Sequence, residues 1–331
     1  MPTDAPQTAD DVAAGFAALR GAAAVAPLED RALLRVRGED RTRFLQGMLT
    51  NEVAARKAGE GAHALLLTDQ GRVIADLGVY VLDDSIWLDV PAAARAGVRE
   101  ALDRYLVADD VEIDDLAYEG VALRGPAAAS VLGGVGVAEA VDLGEAAHRE
   151  ARVGGEQVRV VRIDDLGVGG FHLWCAGAAA AERVRAALAD AGAVATPGAA
   201  LEAQRIVGGF ARHGADYDRK TLAPEVPSFE RAISYRKGCY LGQEVVERVA
   251  ARGHVNWRVA TLRGEGPFAA GAAVSSGGKE VGHVTSVAVR PDDGSTWGLA
   301  RIRREVSEPG TPLAVASARG PVAAEVRKDE R

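Results

Sequence analysis

Only two cysteines, Cys175 and Cys239, and two methionines occur in the 331-residue chain. Two thiols exclude a disulfide framework, and they fall short of the about four thiolates that wrap an iron–sulfur cluster or fill a four-cysteine zinc site. An apolar run of about eighteen residues is also missing, so no transmembrane helix is expected. The N-terminus carries acids without a basic flank and apolar core, and so does not read as a secretory signal. Basic charge is in deficit: 39 Lys and Arg against 47 Asp and Glu give a net charge of −8. That argues against nucleic acid as the primary partner, while leaving room for a local basic patch. No G-x-x-x-x-G-K-[ST] loop occurs, no G-x-G-x-x-G follows a strand, and the Gly167–Gly170 run opens no helix. His63, His213, His254 and His283 show neither H-x-x-x-H nor H-E-x-x-H spacing, so neither a nucleotide loop nor a metal site is expected. The simplest setting is the reducing cytoplasm, away from membranes.

What is present is the composition of an ordinary globular protein, 48% hydrophobic and 26% charged, at a length that suggests two or three domains. The ends, MPTDAPQTADD and VRKDER, lack apolar periodicity and are expected to be disordered. Residues 32–37 read as a strand ending at Gly38, and Asp40 as the N-cap of a helix carrying Phe44, Leu45, Met48 and Leu49. HALLLT (63–68), the turn Asp69-Gln70-Gly71 and VIADLGVYVL (73–82) make a hairpin, followed by SIWLDV (85–90). Pro91 suits the first turn of a helix with Val98, Leu102, Tyr105 and Leu106 on one face, and VEI (111–113) is strand again. The pattern is α+β with mostly antiparallel pairing. Residues 118–210 repeat it more loosely, with strands in YEGVALRG, QVRVVRI and FHLWCA and helices in PAAASVLG, 178–190 and 201–209. From about residue 254 short alternating runs separated by PFAAG, SSGG, PDDG and EPG indicate a small antiparallel barrel. The expected units are 1–253 and 254–331.

The segment richest in chemistry is Lys237-Gly238-Cys239-Tyr240-Leu241-Gly242-Gln243-Glu244. Its glycines imply a tight backbone path, with positive φ expected at Gly238. EVVERVAAR then reads as a helix, placing Cys239 near its N-terminus, where Lys237 and the helix's positive end favour thiolate. The residues alone leave a second reading equally open, in which Cys239 is a small buried hydrophobe.

This octapeptide resembles the K-G-C-Y-x-G-Q-E signature of the YgfZ family, the folate-binding branch of the glycine-cleavage T-protein superfamily. Three further segments resemble that family in order: Gly38-Glu39-Asp40 with Phe44-Leu45-Gln46-Gly47 and Thr50-Asn51-Glu52; Leu67-Thr68-Asp69-Gln70-Gly71-Arg72; and Leu201-Glu202 and Arg205 ahead of Pro224-Glu225. The final barrel, with Gly282 and Thr285-Ser286, is similar to the family's C-terminal domain. The resemblance implies two interleaved α+β subdomains and a barrel around tetrahydrofolate or another reduced folate. It implies Glu225 as the pterin anchor, through a bidentate grip on two N–H donors, and Asp76 near the folate's reactive nitrogens. T-protein relatives carry an Asp-Asp pair where this chain has Ala75-Asp76; if the absent acid is the catalytic one, aminomethyl transfer is lost. Tyr235 is a candidate for stacking on the pterin and Arg248 for holding the glutamyl carboxylate, although each also reads as ordinary structure. The implied function is a folate-dependent accessory factor for iron–sulfur enzymes or cluster carriers, acting through Cys239. The alternatives are an aminomethyltransferase of the glycine cleavage system, and a scaffold that has lost its ligand.

Overall fold

The computed structural model describes residues 8–253 and 255–330; residues 1–7, His254 and Arg331 lie outside the described residues, with part of the N-terminal expectation and one of the four histidines above. Two antiparallel-rich sheets face one another, and a closed barrel follows them. The first sheet has the order β3-β4-β5-β2-β6, from β2 (Arg31–Arg37), β3 (Gly61–Leu67), β4 (Val73–Val81), β5 (Ile86–Pro91) and β6 (Glu112–Leu116). The second has the order β11-β1-β7-β10-β9-β8. Its strands are β1 (Ala24–Leu28), β7 (Glu119–Arg124), β8 (His148–Val153), β9 (Glu156–Arg162), β10 (Gly170–Cys175) and β11 (Val194–Ala195). The subdomains are interleaved because β1 precedes the whole first sheet in sequence yet pairs with β7 in the second.

The alternation of side chains along each strand determines the layers. Outward residues of the first sheet, Leu34, Val36, Leu88 and Val90, are covered by α2 (Arg41–Met48) and α3 (Arg95–Asp103) through Phe44, Leu45, Val98 and Leu102. Outward residues of the second, Val121, Leu123, Phe171 and Leu173, pack under α4 (Ala128–Gly134) and α5 (Ala178–Asp190). The inward residues Leu33, Tyr80, Trp87, Ala122, Val161 and Trp174 meet between the sheets. The result is a helix–sheet–sheet–helix sandwich whose middle seam is apolar at one end and, as shown below, ionic at the other.

The described parts of the two end segments, residues 8–11 and 326–330, are held by defined contacts where disorder was expected. Thr8 and Asp11 form a reciprocal capping box that starts α1 (Ala9–Gly21), and α1 packs on α6 (Gly198–Val207) through Phe16, Leu19, Ala200 and Ala203. At the other end Val326 belongs to the closing strand of the barrel, and Glu330 pairs with Arg20 and Arg290. Two local expectations also change. Asp40 precedes α2, but its carboxylate accepts from the Asp110 N–H at 3.0 Å instead of capping the helix. Pro91 ends β5, and a 3-10 turn at Ala92–Ala94 comes before α3.

After α7 (Gln243–Arg252), strands β12 (Trp257–Gly264), β13 (Ala273–Ser276), β14 (Lys279–Val289), β15 (Thr296–Arg303), β16 (Pro312–Val315) and β17 (Val322–Arg327) close into a six-stranded barrel. Leu262, Val274, Val284, Ile302, Leu313 and Val326 fill its core. Closure leaves no free sheet edge.

Candidate functional site

At the ionic end of the seam lies a cavity of about 500 Å³, lined by Arg31, His63, Asp76, Tyr80, Asp165, His172, Phe210, His213 and Phe229 among others. Its volume is that of an ordinary small-molecule site. Strand periodicity aims its charged groups inward. Ala75 and Leu77 belong to the outer core of the first sheet, so Asp76 between them faces the cavity. Asp89, between Leu88 and Val90, and His172, between Phe171 and Leu173, point the same way by the same rule.

These groups form one connected chain of ions. Arg31 donates to Asp89 Oδ1 at 2.6 Å and to Asp76 Oδ2 at 3.3 Å. Asp89 is fully buried and also accepts from the Tyr80 hydroxyl at 2.8 Å, with His172 Nδ1 at 3.0 Å. The other imidazole nitrogen of His172 lies 3.3 Å from Asp165, which Arg124 grips at 2.8 Å. Gly78 makes this possible, since a Cβ there would stand 2.6 Å from the Tyr80 hydroxyl oxygen. Burial alone would raise the pKa of Asp76, but the Arg31 charge overrules it, helped by His63 and by the Tyr217 hydroxyl that donates to the carboxylate. Asp76 is therefore held well below the usual carboxylate range. Asp89 and Asp165 are likewise lowered against their burial, chiefly by Arg31 and Arg124 respectively. The Tyr217 phenol moves the other way, raised first by burial and then by Asp76.

Such a cavity suits a flat, nitrogen-rich ligand. An ionised carboxylate offers acceptors, Phe210 and Phe229 offer apolar walls, and two buried ring nitrogens at the lining, His63 Nδ1 and His213 Nδ1, have no protein partner. Orphaned buried polar atoms of this kind call for a ligand or water. The residues thus fit a reduced folate. Apart from Asp76, none of these groups was singled out from the sequence as a ligand-site residue. The available signal was an ionisable residue at an inward position of an otherwise apolar strand, as in IWLDVP and GFHLWC, which a buried strand tolerates only with a partner.

The other sequence candidates lie elsewhere. Glu225 sits in a 3-10 turn, 4% exposed. It accepts from Arg301 at 3.0 Å and lines a second cavity with Thr68, Arg72 and Trp257. Asp76 and Glu225 line different cavities, so the expected pterin anchor and the expected carboxylate beside the reactive nitrogens are not brought together in one cavity. Tyr235 is 54% exposed and Arg248 pairs with Glu244 across one turn of α7 at 2.7 Å; neither lines the central cavity, which corrects their assignment to the folate.

The signature octapeptide is built as a clamp. The ammonium of Lys237 donates to the carbonyls of Gln46, Leu49 and Asn51 at 2.8, 2.6 and 2.8 Å. All three of its protons are therefore used on the C-terminal end of α2 and the turn after it, not on Cys239. Burial pushes this ammonium down to about 8. Tyr240 is buried beside it, and Leu241 N–H donates to the Gly47 carbonyl at 3.0 Å. Gly238 has no positive φ; that conformation falls on Gly242, the residue preceding α7, at φ 80°. A Cβ on Gly242 would lie 2.4 Å from the Thr68 carbonyl oxygen, so the loop docks on the Thr68–Gly71 turn. Gln243 and Glu244 pair along α7, with Glu247 and Arg248. Cys239 is free and exposed, lines neither cavity, and precedes the first helical residue by four positions. Cys175 is buried, and burial pushes its thiol up to about 12.

A two-sheet α+β sandwich with a charged, ligand-sized seam cavity and an appended closed barrel is the T-protein fold. The GCVT N-terminal domain profile matches residues 2–237 and the glycine cleavage T-protein C-terminal barrel domain profile matches residues 258–329. The chain belongs to the glycine cleavage T-protein family. It is 31% identical to the aminomethyltransferase of Thermus thermophilus, over 83% of this chain and 78% of the relative. It is 25% identical to a chloroplastic protein of Arabidopsis thaliana over 85% of this chain, and spans 66% of that relative's length. The solved structure of glycine cleavage system aminomethyltransferase T from Bartonella henselae superimposes with a TM-score of 0.85 at 20% identity, covering 96% of this chain and 88% of the other. Among the described residues no helix is long and apolar enough to cross a membrane.

Proposed function

We propose that this chain binds tetrahydrofolate or another reduced folate in the central cavity and carries out folate-dependent one-carbon transfer of the aminomethyltransferase type. The observation that carries the reading is Asp76, an ionised carboxylate facing a ligand-sized void and fixed by Arg31 and Tyr217. When bound, a reduced folate would supply one pterin-ring nitrogen and one side-arm nitrogen, between which a one-carbon unit is carried. Asp76 accepts their N–H groups and stabilises positive charge developing there, and its low pKa keeps it from serving as a general acid. Phe210 and Phe229 keep water from that side. The change to Ala75 does not weaken the reading, because position 75 points into the apolar core under α2 and α3 and away from the cavity. The names of the relatives support transfer over an accessory role.

A second reading, the accessory factor for iron–sulfur enzymes or cluster carriers, is favoured by one observation: Cys239 is exposed on a rigidly clamped loop. In both readings we take 1–253 and 254–331 as the structural units and the reducing cytoplasm as the setting, on the two free thiols.

Calorimetric titration with tetrahydrofolate tests the first step. Binding near micromolar, about −8 kcal/mol, is expected for the wild type, weakened at least about tenfold in Asp76→Asn through loss of a charge-assisted bond. No binding to folded protein removes the proposal. Ammonia release from an aminomethyl-lipoyl carrier at about one turnover per second or faster selects transferase. Its absence, with loss of iron–sulfur enzyme support in Cys239→Ala cells, selects the second reading.

A further inference from the structure

The second cavity, about 740 Å³, lies where the Thr68–Arg72 turn, the 219–225 segment and the start of the barrel meet. Its charge is opposite to that of the protein as a whole. Arg72, Arg219, Lys220 and Arg301 line it against Asp69 and Glu225, an excess of two positive charges in a chain of net charge −8. Most arginines of this protein are paired with carboxylates, yet among the described residues Arg72, Arg219 and Lys220 have no carboxylate within ion-pair distance. Arg72 and Arg219 are instead fixed by the backbone carbonyls of Lys220 and Gly97, which holds their remaining donors in place.

At the recessed side the cavity has a built polar wall. Glu225 is 4% exposed and its Oε2 accepts from Arg301 at 3.0 Å. The Arg301 Nε is buried without a partner. Trp257 lies against the guanidinium groups of Arg301 and Arg303, at 5.0 and 4.2 Å from the ring centroid, cation–π contacts that help to fix Arg301 at the cavity wall. Burial raises the pKa of Glu225, and Arg301, Arg72 and the Leu222 backbone offset this only in part; the carboxylate can accept a further N–H or O–H donor from a ligand.

We propose that this cavity is a binding site, separate from the central one, for a small phosphomonoester that also bears hydroxyl groups, such as a sugar phosphate or a mononucleotide. The phosphate, with about −1.5 to −2 charge at neutral pH, matches the excess positive charge at Arg72, Arg219 and Lys220. A hydroxyl donates to Glu225. An acidic peptide can also meet the cations, and its backbone N–H groups can reach Glu225; its carboxylates carry one charge each where a phosphomonoester carries about −1.5 to −2 on a single group.

The test is calorimetry on the full chain with ribose 5-phosphate, adenosine monophosphate, inorganic phosphate and an oligoglutamate peptide. Saturable binding of a phosphomonoester is expected, tighter than inorganic phosphate. Lys220→Ala should weaken it about tenfold, as for one charge-assisted hydrogen bond. Glu225→Gln should narrow the preference for ribose 5-phosphate over inorganic phosphate, and Lys220→Ala should leave tetrahydrofolate binding unchanged. Lys220 is exposed and carries no fold-defining contact with its side chain, so its variant keeps the test open if Glu225→Gln misfolds. No saturable binding of either monoester, equal affinity for inorganic phosphate, insensitivity to Lys220→Ala, or tighter binding of the peptide would each overturn the proposal.

Discussion

Asp76 and Lys237 are both ions taken out of water, and they are held in opposite ways. Asp76 is surrounded by counter-charge and donors from Arg31, His63 and Tyr217, and it opens on a void. Lys237 faces three neutral backbone carbonyls, with the Glu52 charge a lesser influence, and lines neither cavity. A buried charge whose partners leave one side open to a ligand-sized cavity is arranged for binding. A buried charge whose donors are all satisfied by backbone is arranged to hold the chain. Sequence pattern marks both with equal emphasis, and only their surroundings separate them.

The comparison predicts its largest effect at Lys237. Lys237→Met leaves three carbonyls, one buried and two half-buried, without this donor and should destabilise the protein by about 3 kcal/mol or more in denaturant titration. A loss below about 1 kcal/mol would return Lys237 to the role of thiol activator. Next comes Gly242→Ala, which forces a side chain into positive φ against the Thr68 carbonyl and should cost about 2 kcal/mol. If its stability matches the wild type, the loop is not docked on the Thr68–Gly71 turn.

Asp76→Asn should cost less, about 1–2 kcal/mol at pH 7, because the amide keeps some of the hydrogen bonds. Its pH dependence is diagnostic. Asp76 has a folded pKa below its unfolded value of about 3.9. Its contribution is fully present above that value and is lost as pH falls toward the folded pKa. The stability gap between wild type and variant should therefore be constant from about pH 5 to 7 and shrink below about pH 4. A gap that widens on acidification would show that Asp76 is not ionised in the folded protein.

Most strands, the barrel and the helices from α2 onward were legible because period-2 and period-3.6 patterns are local, whereas β1, β8 and β11 were not read. The signature segments were legible as sequence, but their meaning was not. FLQGMLTNE, LTDQG and KGCYLGQE are far apart in the chain, and only the fold shows the first two as the carbonyl and turn surfaces on which the third is clamped. The ion chain from Asp76 to Arg124 draws its members from five strands and a loop, so no window of sequence contains it. Glu225 shows the converse failure. A motif position gave it a plausible ligand, while its actual neighbour, Arg301 in β15, comes from the barrel 76 positions away. α1 escaped because its apolar face is narrow and its capping residue lies in a segment rich in acids.

The smallest effect is expected at Cys239, and it sharpens the comparison most. An exposed thiol without packing partners contributes little to the folded state, so Cys239→Ala should change stability by less than about 0.5 kcal/mol. Cys175→Ala, in a fully buried strand, should cost about 1 kcal/mol or more through the cavity left behind. Reactivity should run the other way. Iodoacetamide should modify Cys239 at least about a hundredfold faster than Cys175 at pH 8, since the buried thiol is both shielded and pushed up to about 12. Mass spectrometry of the alkylated peptides over time reads both rates in one experiment. The same rate in Lys237→Arg as in the wild type would show that the clamp only presents the thiol. A rate that falls with the change of cation would instead tie the ammonium to the thiol's chemistry, and the division between a binding ion and a holding ion would no longer stand.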